Sequence, residues 1–225
     1  MRTLAIGDIH GCLTALRTLE ATVPFAPEDR LITLGDYVNR GPDSKGVLDW
    51  LIDYKERGQL IAIRGNHEIM MLNARRSSDA VEEWLRCGGR QTLASYGGLF
   101  RRAQLKDIPE EHWKFLETGL RNWFEIETHF FVHANAYADC SLEDQPGFML
   151  FWEHLNAPAP HQSGKTMICG HTPQISGRPF NAGHTVCLDT NACRGGWLTC
   201  LDVVSGQYWQ ANEQGQSQSG WLDEI

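Results

Sequence analysis

Five short stretches carry residue types that bind metals and move protons. They are Asp8-x-His10 in GDIHG, Gly35-Asp36 in GDYVNRG, Gly65-Asn66-His67-Glu68 in RGNHE, His133 in VHA, and Gly170-His171-Thr172. Carboxylate and amide oxygens mixed with imidazoles, with no thiolate among them, suit Mn²⁺, iron or Zn²⁺ and argue against a structural zinc cage. Asp8 and His10 stand two residues apart, so on an extended segment they point to one side and can grip one ion. Asp36 can bridge to a second ion held by Asn66, His133 and His171. Two such ions about 3.5–4 Å apart acidify a shared water and clamp both ends of an in-line displacement at phosphorus. Any one motif is also ordinary turn chemistry. The set, each member at the end of an apolar run, points to metals.

The elements before these motifs must position them. Residues 2–6, 31–34 and 60–63 are short apolar runs, while 13–23 and 47–57 have helical spacing and Gly58 stops the second helix. This alternation predicts parallel βαβ units with right-handed crossovers. GDIHG, GDYVNRG and RGNHE follow the three runs in turn, so they meet at the carboxyl edge of one sheet, where ligands of open α/β sheets bind. Residues 68–118 read as helices broken at Gly88-Gly89 and Gly97-Gly98. Within them IPEEHWKFLETG is a helix between its proline and its glycine. Residues 72–121 are expected to form a helical cap or insertion beside the sheet, with Trp84, Tyr96 and Trp113 as packing groups rather than base-stacking platforms. Strands return at 123–127, 129–133, 166–169, 185–188, 197–203 and 207–210, in antiparallel or mixed pairing. A single domain over 1–210 is expected, followed by a loosely ordered Gln/Ser/Gly tail at 211–225.

Bulk properties narrow the class. A chain of 225 residues with formal charge −8 fits one α/β domain and excludes a general binder of DNA or RNA duplexes or of anionic membrane surfaces. No apolar run approaches the roughly 20 residues of a membrane span, and the N-terminus lacks the apolar core of a signal peptide. The seven cysteines are odd in number and contain no CxxC pair. They read as reduced, mostly buried thiols of a cytoplasmic protein.

Together, GDIHG, GDYVNRG, RGNHE, VHA and GHT resemble the phosphoprotein phosphatase family of calcineurin-like metallophosphoesterases. WLRCGGRQTLASYGG and IPEEHWKFLETG are similar to the middle of bacterial members, and LDTNACRGGWLTCLDV to their closing strands. The resemblance thus runs from Met1 to about Val204. It implies a four-layer α/β/β/α sandwich with a dinuclear metal site at the carboxyl edge of the strands. It assigns one ion to Asp8, His10 and Asp36, and the other to Asp36, Asn66, His133 and His171. Mn²⁺ is the leading expectation for both, with iron and Zn²⁺ as alternatives. His67 becomes the general acid and Arg40 a phosphate clamp, whose planar fork suits two phosphoryl oxygens.

Two features depart from the family. Its second phosphate-binding arginine has no counterpart, because residues 134–170 contain no arginine, although His154, His161 and Lys165 lie there and Arg178 follows. Asn39 replaces an aspartate that pairs with the histidine of the GNHE motif. The amide keeps the shape and can accept a hydrogen bond from His67, but lacks the charge that favours the protonated ring. A serine or threonine alkoxide needs that proton on leaving, whereas a phosphate of pKa about 6 hardly does. Symmetrical diadenosine tetraphosphate hydrolases typically have a neutral residue here, but GNHE, GHT and the compact length pull toward protein phosphatases. The leading expectation is a phosphomonoesterase acting on phosphoserine or phosphothreonine in proteins. The alternative is a bis(5'-nucleosyl)-tetraphosphatase or related phosphoanhydride hydrolase, and the third is a weakened domain that binds phosphorylated ligands.

Overall fold

A computed structural model describes residues 1–97 and 103–224; Gly98, one of the expected helix breaks, lies outside the described residues. Strands β1 (Thr3–Ile6), β2 (Arg30–Thr33) and β3 (Leu60–Ala62) alternate with helices α1 (Leu13–Thr22) and α2 (Ser44–Glu56) and pair in parallel. Asp43 starts α2 by accepting from the Gly46 amide at 2.8 Å, and Gly58 follows its end with φ 79°. Next come α3 (Asn66–Arg76), α4 (Ser78–Trp84), α5 (Arg90–Ser95) and α6 (Glu110–Thr118). The remainder is β4 (Trp123–Glu125), β5 (His129–Val132), α7 (Gly147–Phe151), β6 (Thr166–Cys169), β7 (Phe180–Asn181), β8 (Thr185–Cys187), β9 (Leu198–Asp202), β10 (Gln207–Ala211) and β11 (Ser217–Trp221).

These strands form two sheets. One is six-stranded in the order β11-β10-β9-β1-β2-β3; the other is five-stranded, β4-β5-β6-β8-β7. Pairing in the second sheet is mixed: β5, β6 and β8 run parallel, with antiparallel β4 and β7 at its edges. Period-two alternation divides each strand between layers. Leu4 and Ile6 point outward into a core shared with α1, α2 and the helices that follow, while Ala5 points inward against the other sheet. Phe131 and Ile168 meet Ala5, Ile32 and Leu201 between the sheets, and Phe130, Val132 and Met167 pack outward near Leu150 and Phe151 of α7. The result is the four-layer α/β/β/α arrangement expected.

Trp84, Trp113, Phe115 and Leu116, from the segment expected as a cap, share one core with Leu16, Leu48 and Leu51 of α1 and α2. The tail departs from expectation. Beyond Ala211 the chain turns at Gly215, with φ 75°, and returns as β11 in register with β10, from Gln207↔Trp221 to Ala211↔Ser217. Backbone ladder bonds, not apolar burial, make this edge strand, so its polar side chains gave no strand pattern. None of the seven cysteines is disulfide-bonded, and no helix among the described residues is long and apolar enough to cross a membrane.

Candidate metal centre

All the motif residues arrive at one edge, where loops from both sheets meet. The loops after β1, β2 and β3 bring Asp8, His10, Asp36 and Asn66; the loops after β5 and β6 bring His133 and His171. The two second-sheet loops are tied by the Gly170 N–H donating to the His133 carbonyl at 2.7 Å. Gly170 also lies against Asp8, since a Cβ there would overlap Asp8 Oδ1. His10, Asp36, Asn39, Arg40 and His171 all adopt positive φ, between 45° and 72°. Left-handed backbone is sparsely used by such residues, and clustered strain of this kind marks functional sites.

Three of the site's imidazoles are each oriented by a backbone carbonyl. His10 Nδ1 donates to Val38 O at 2.9 Å, His133 Nδ1 to Leu34 O at 2.8 Å, and His171 Nε2 to Trp152 O at 3.1 Å. Each ring therefore turns its remaining lone pair toward the centre, as metal-ligating histidines do. Asp36 faces both sides: its Oδ2 lies 3.4 Å from His10 Nε2 and its Oδ1 3.4 Å from His133 Nε2. His171 Nδ1 lies 3.2 Å from His133 Nε2, and the His171 amide donates to both Asp8 oxygens at 3.1 Å.

The donor set fits a cation. The Asn66 carboxamide oxygen faces only lone pairs: the Asp36 oxygens at 3.1 and 3.2 Å and His133 Nε2 at 3.1 Å. Turned round, the amide would donate to the same three atoms; with its oxygen inward, four acceptors converge on a point that a cation reconciles. Charge tells the same story. Burial lifts Asp8 well above the carboxylate range, helped by Asp189 and Asp36, and lifts Asp36 to about 7 and Asp189 to about 6. These acids are costly to bury as anions without a compensating positive charge. Arg40 brings one such charge, its guanidinium donating to His10 Nε2 at 2.7 Å.

Behind these donors, Glu68 organises the β2 loop. Its carboxylate accepts from the amides of Asp36, Tyr37, Val38 and Gly65 at 2.9, 2.8, 3.3 and 2.9 Å, so the first turn of α3 is stitched to the Asp36 loop. Burial, with Asp36 nearby, raises it to about 8.

His67 stands beside the centre, with Nε2 3.9 Å from Asp36 Oδ2 and its ring edge-on to His10 at 4.6 Å. Its Nδ1 meets Asn39 Nδ2 at 2.8 Å, while Asn39 Oδ1 accepts from the Thr92 hydroxyl at 2.9 Å. The amide therefore donates to His67, reversing the direction expected from the sequence. The reason is Thr92, which takes the Asn39 oxygen for itself. The Asn39 backbone is held as well, its N–H lying 2.9 Å from Thr92 Oγ1 and 3.1 Å from Ser44 Oγ. Burial first, then His10 and Arg40, depress the His67 pKa.

A pocket of about 340 Å³ opens over these groups, lined by Asp36, Arg40, Asn66, His67 and His171 and, at its mouth, by Trp152, His154 and Arg194. Among the residues considered for the missing arginine, only His154 lines it. His161 instead bonds Cys140 O and Ser163, and Lys165 pairs with Glu125. Sequence reasoning missed Asp189, Arg194 and Thr92. Asp189 and Arg194 sit in LDTNACRGG just past the end of β8, where a strand-end acid was the available signal.

Residues 1–204 match the family described as calcineurin-like phosphoesterase. The chain is 34% identical to serine/threonine-protein phosphatase 1 of Salmonella typhimurium over 136 residues, covering 60% of this chain and 57% of that protein. It is 45% identical to the symmetrical bis(5'-nucleosyl)-tetraphosphatase of Pseudomonas fluorescens over 75 residues, 33% of this chain and 26% of that one. It thus spans less than two thirds of either curated relative. In fold it is similar to a candidate diadenosine tetraphosphatase, with TM-score 0.69 and 21% identity over 98% of this chain and 94% of that one. With the two-sheet sandwich and converging donors, the match over residues 1–204 places the chain in the calcineurin-like phosphoesterases, a family of metal-dependent phosphohydrolases.

Proposed function

We propose that this chain is a two-metal phosphohydrolase acting best where the leaving group is itself a phosphate, as in a dinucleoside polyphosphate. One observation carries the preference: Asn39 donates to His67 Nδ1 and is held that way by Thr92. A ring whose Nδ1 accepts keeps its hydrogen on Nε2, the nitrogen turned toward Asp36. In that form His67 offers a hydrogen bond to a departing oxygen but no imidazolium proton, since a proton on Nδ1 would confront the amide N–H. A departing phosphate, with its terminal pKa of about 6, needs no more than that.

The remaining residues take the roles the resemblance gives them. Asp8, His10 and Asp36 hold one divalent ion, and Asp36, Asn66, His133 and His171 the other, with Asp36 turned to both groups. Bound there, the ions supply an acidified water and neutralise phosphoryl charge. Arg40 would grip the phosphoryl oxygens and orient the phosphoryl group within the pocket. A second reading, a phosphoserine or phosphothreonine phosphatase, is favoured by the long match to the Salmonella protein phosphatase.

The protein with Mn²⁺ is assayed in parallel on diadenosine tetraphosphate, a phosphoserine peptide and an aryl phosphate. We expect kcat/KM for the dinucleotide to exceed that for the peptide by about a hundredfold, the scale of general-acid assistance. The opposite order would establish the phosphoprotein reading instead. No turnover of any of the three, with two ions bound, would leave only a phospho-ligand-binding domain.

A further inference from the structure

A second cavity, of about 390 Å³, adjoins the metal pocket and shares Arg40 and Arg194 with it. Its other walls are Arg86, Cys87, Gly88 and Gln91. Three guanidiniums and a carboxamide line it with no carboxylate among them, in a chain of net charge −8. Arg194 donates its backbone N–H to Asn191 O at 3.1 Å, but its guanidinium makes no hydrogen bond or ion pair among the described residues and acts on Asp189 only through its charge. Among the described residues the Arg86 guanidinium has only a 3.6 Å exposed pair with Glu82, which holds it weakly in water. The shared wall is set by backbone packing: Gly88, at φ 106°, accepts from the Arg40 amide at 3.3 Å and approaches so closely that a Cβ would meet Arg40 N at 2.5 Å.

We propose that this cavity is a subsite for a second phosphoryl group, one bridging oxygen removed from the phosphorus under attack. The proposal rests on the phosphoanhydride reading above and narrows its substrate to small molecules with consecutive phosphates, such as nucleoside oligophosphates. Arg40 and Arg194 border both cavities and can hold oxygens of both groups, while Arg86 and Gln91 meet the distal one. Arg194 also takes over from the arginine that residues 134–170 lack. The three arginines come from the β2–α2 loop, the α4–α5 turn and the β8–β9 loop. A tetrahedral dianion presents acceptors in several directions and can satisfy forks arriving from three sides, whereas a planar carboxylate of an acidic peptide is matched by one fork.

The test uses aryl phosphate hydrolysis by the Mn²⁺-loaded protein at buffered free metal. Methylenebisphosphonate, whose P–C–P link is not cleaved, is compared with orthophosphate as inhibitor. We expect the bisphosphonate to bind at least about tenfold more tightly, as one added charge-assisted contact allows. Arg86→Gln and Arg194→Gln should each shrink that ratio several-fold, while thermal melts match the unaltered protein. No preference for the bisphosphonate, or a ratio unmoved by both substitutions, overturns the proposal. So does a phosphoserine peptide with a neighbouring aspartate whose KM responds to Arg86→Gln while bisphosphonate inhibition does not; an acidic peptide would then be the occupant. Inhibition needs no anhydride cleavage, so the expected ratios in a protein that leaves diadenosine tetraphosphate intact would support the subsite and remove only the leaving-group reading.

Discussion

Asn39 is fully buried in left-handed backbone at φ 72°, a conformation asparagine and aspartate tolerate better than most side chains. Asn39→Asp should therefore keep the loop and change the charge. An aspartate accepts from Nδ1 and favours the imidazolium, so kcat/KM on a phosphoserine peptide should rise about tenfold or more, with less than about threefold change on a dinucleotide. Equal gains on both substrates, measured side by side, would mean that His67 does not assist the leaving group. The residues proposed as metal ligands were legible in the sequence because each closes an apolar strand run. The orientation of the Asn39 amide was not, because it is decided by Thr92, 53 residues away. Arg194 escaped for a similar reason: it lies outside the interval where the family places its arginine, and only the fold returns it to the pocket.

Among the elements, α3 does more than carry Asn66 and His67. Its Glu68 gathers four backbone amides of the neighbouring loops. In Glu68→Gln one of the two accepting oxygens becomes an amide nitrogen facing N–H donors. The loss should be about 2–3 kcal/mol in urea unfolding, with Mn²⁺ affinity falling as Asp36 loses its support. The outer helices carry a separate titration. His112 of α6 is fully buried, its Nδ1 2.6 Å from Tyr96 OH and its Nε2 2.9 Å from Asp49 Oδ1. Burial lowers its pKa despite Asp49 and Glu111, with Lys45 acting in the same direction as burial. The unfolded ring takes up a proton below about pH 6.5 that the folded ring resists, so stability is lost as pH falls through that value. His112→Gln should flatten the dependence of the urea midpoint between about pH 5 and 7, and an unchanged slope would assign it to other groups. The helix spacing was readable from sequence, but this bridge was not, since its partners come from three separate helical stretches.

Across the whole molecule, the expected layers are present because alternation along each strand sends one set of side chains between the sheets and the other outward. The tail was misjudged because β11 gains its place through ladder bonds that leave no apolar pattern. The donors divide between the layers: Asp8, His10, Asp36 and Asn66 follow strands of one sheet, His133 and His171 strands of the other. Ions held there would link the sheets, and binding to the folded state alone would stabilise by mass action, about 2.7 kcal/mol per site at a hundredfold excess over Kd. Mn²⁺ should therefore raise the melting temperature in a concentration-dependent way that EDTA reverses and Asp36→Asn abolishes. A melting temperature indifferent to Mn²⁺ would place the ions elsewhere. Proteases cut the opened chain in proportion to its population when reclosing is fast. A cell depleted of the metal would then degrade this protein sooner, so that its lifetime, as well as its turnover number, becomes a gauge of metal supply.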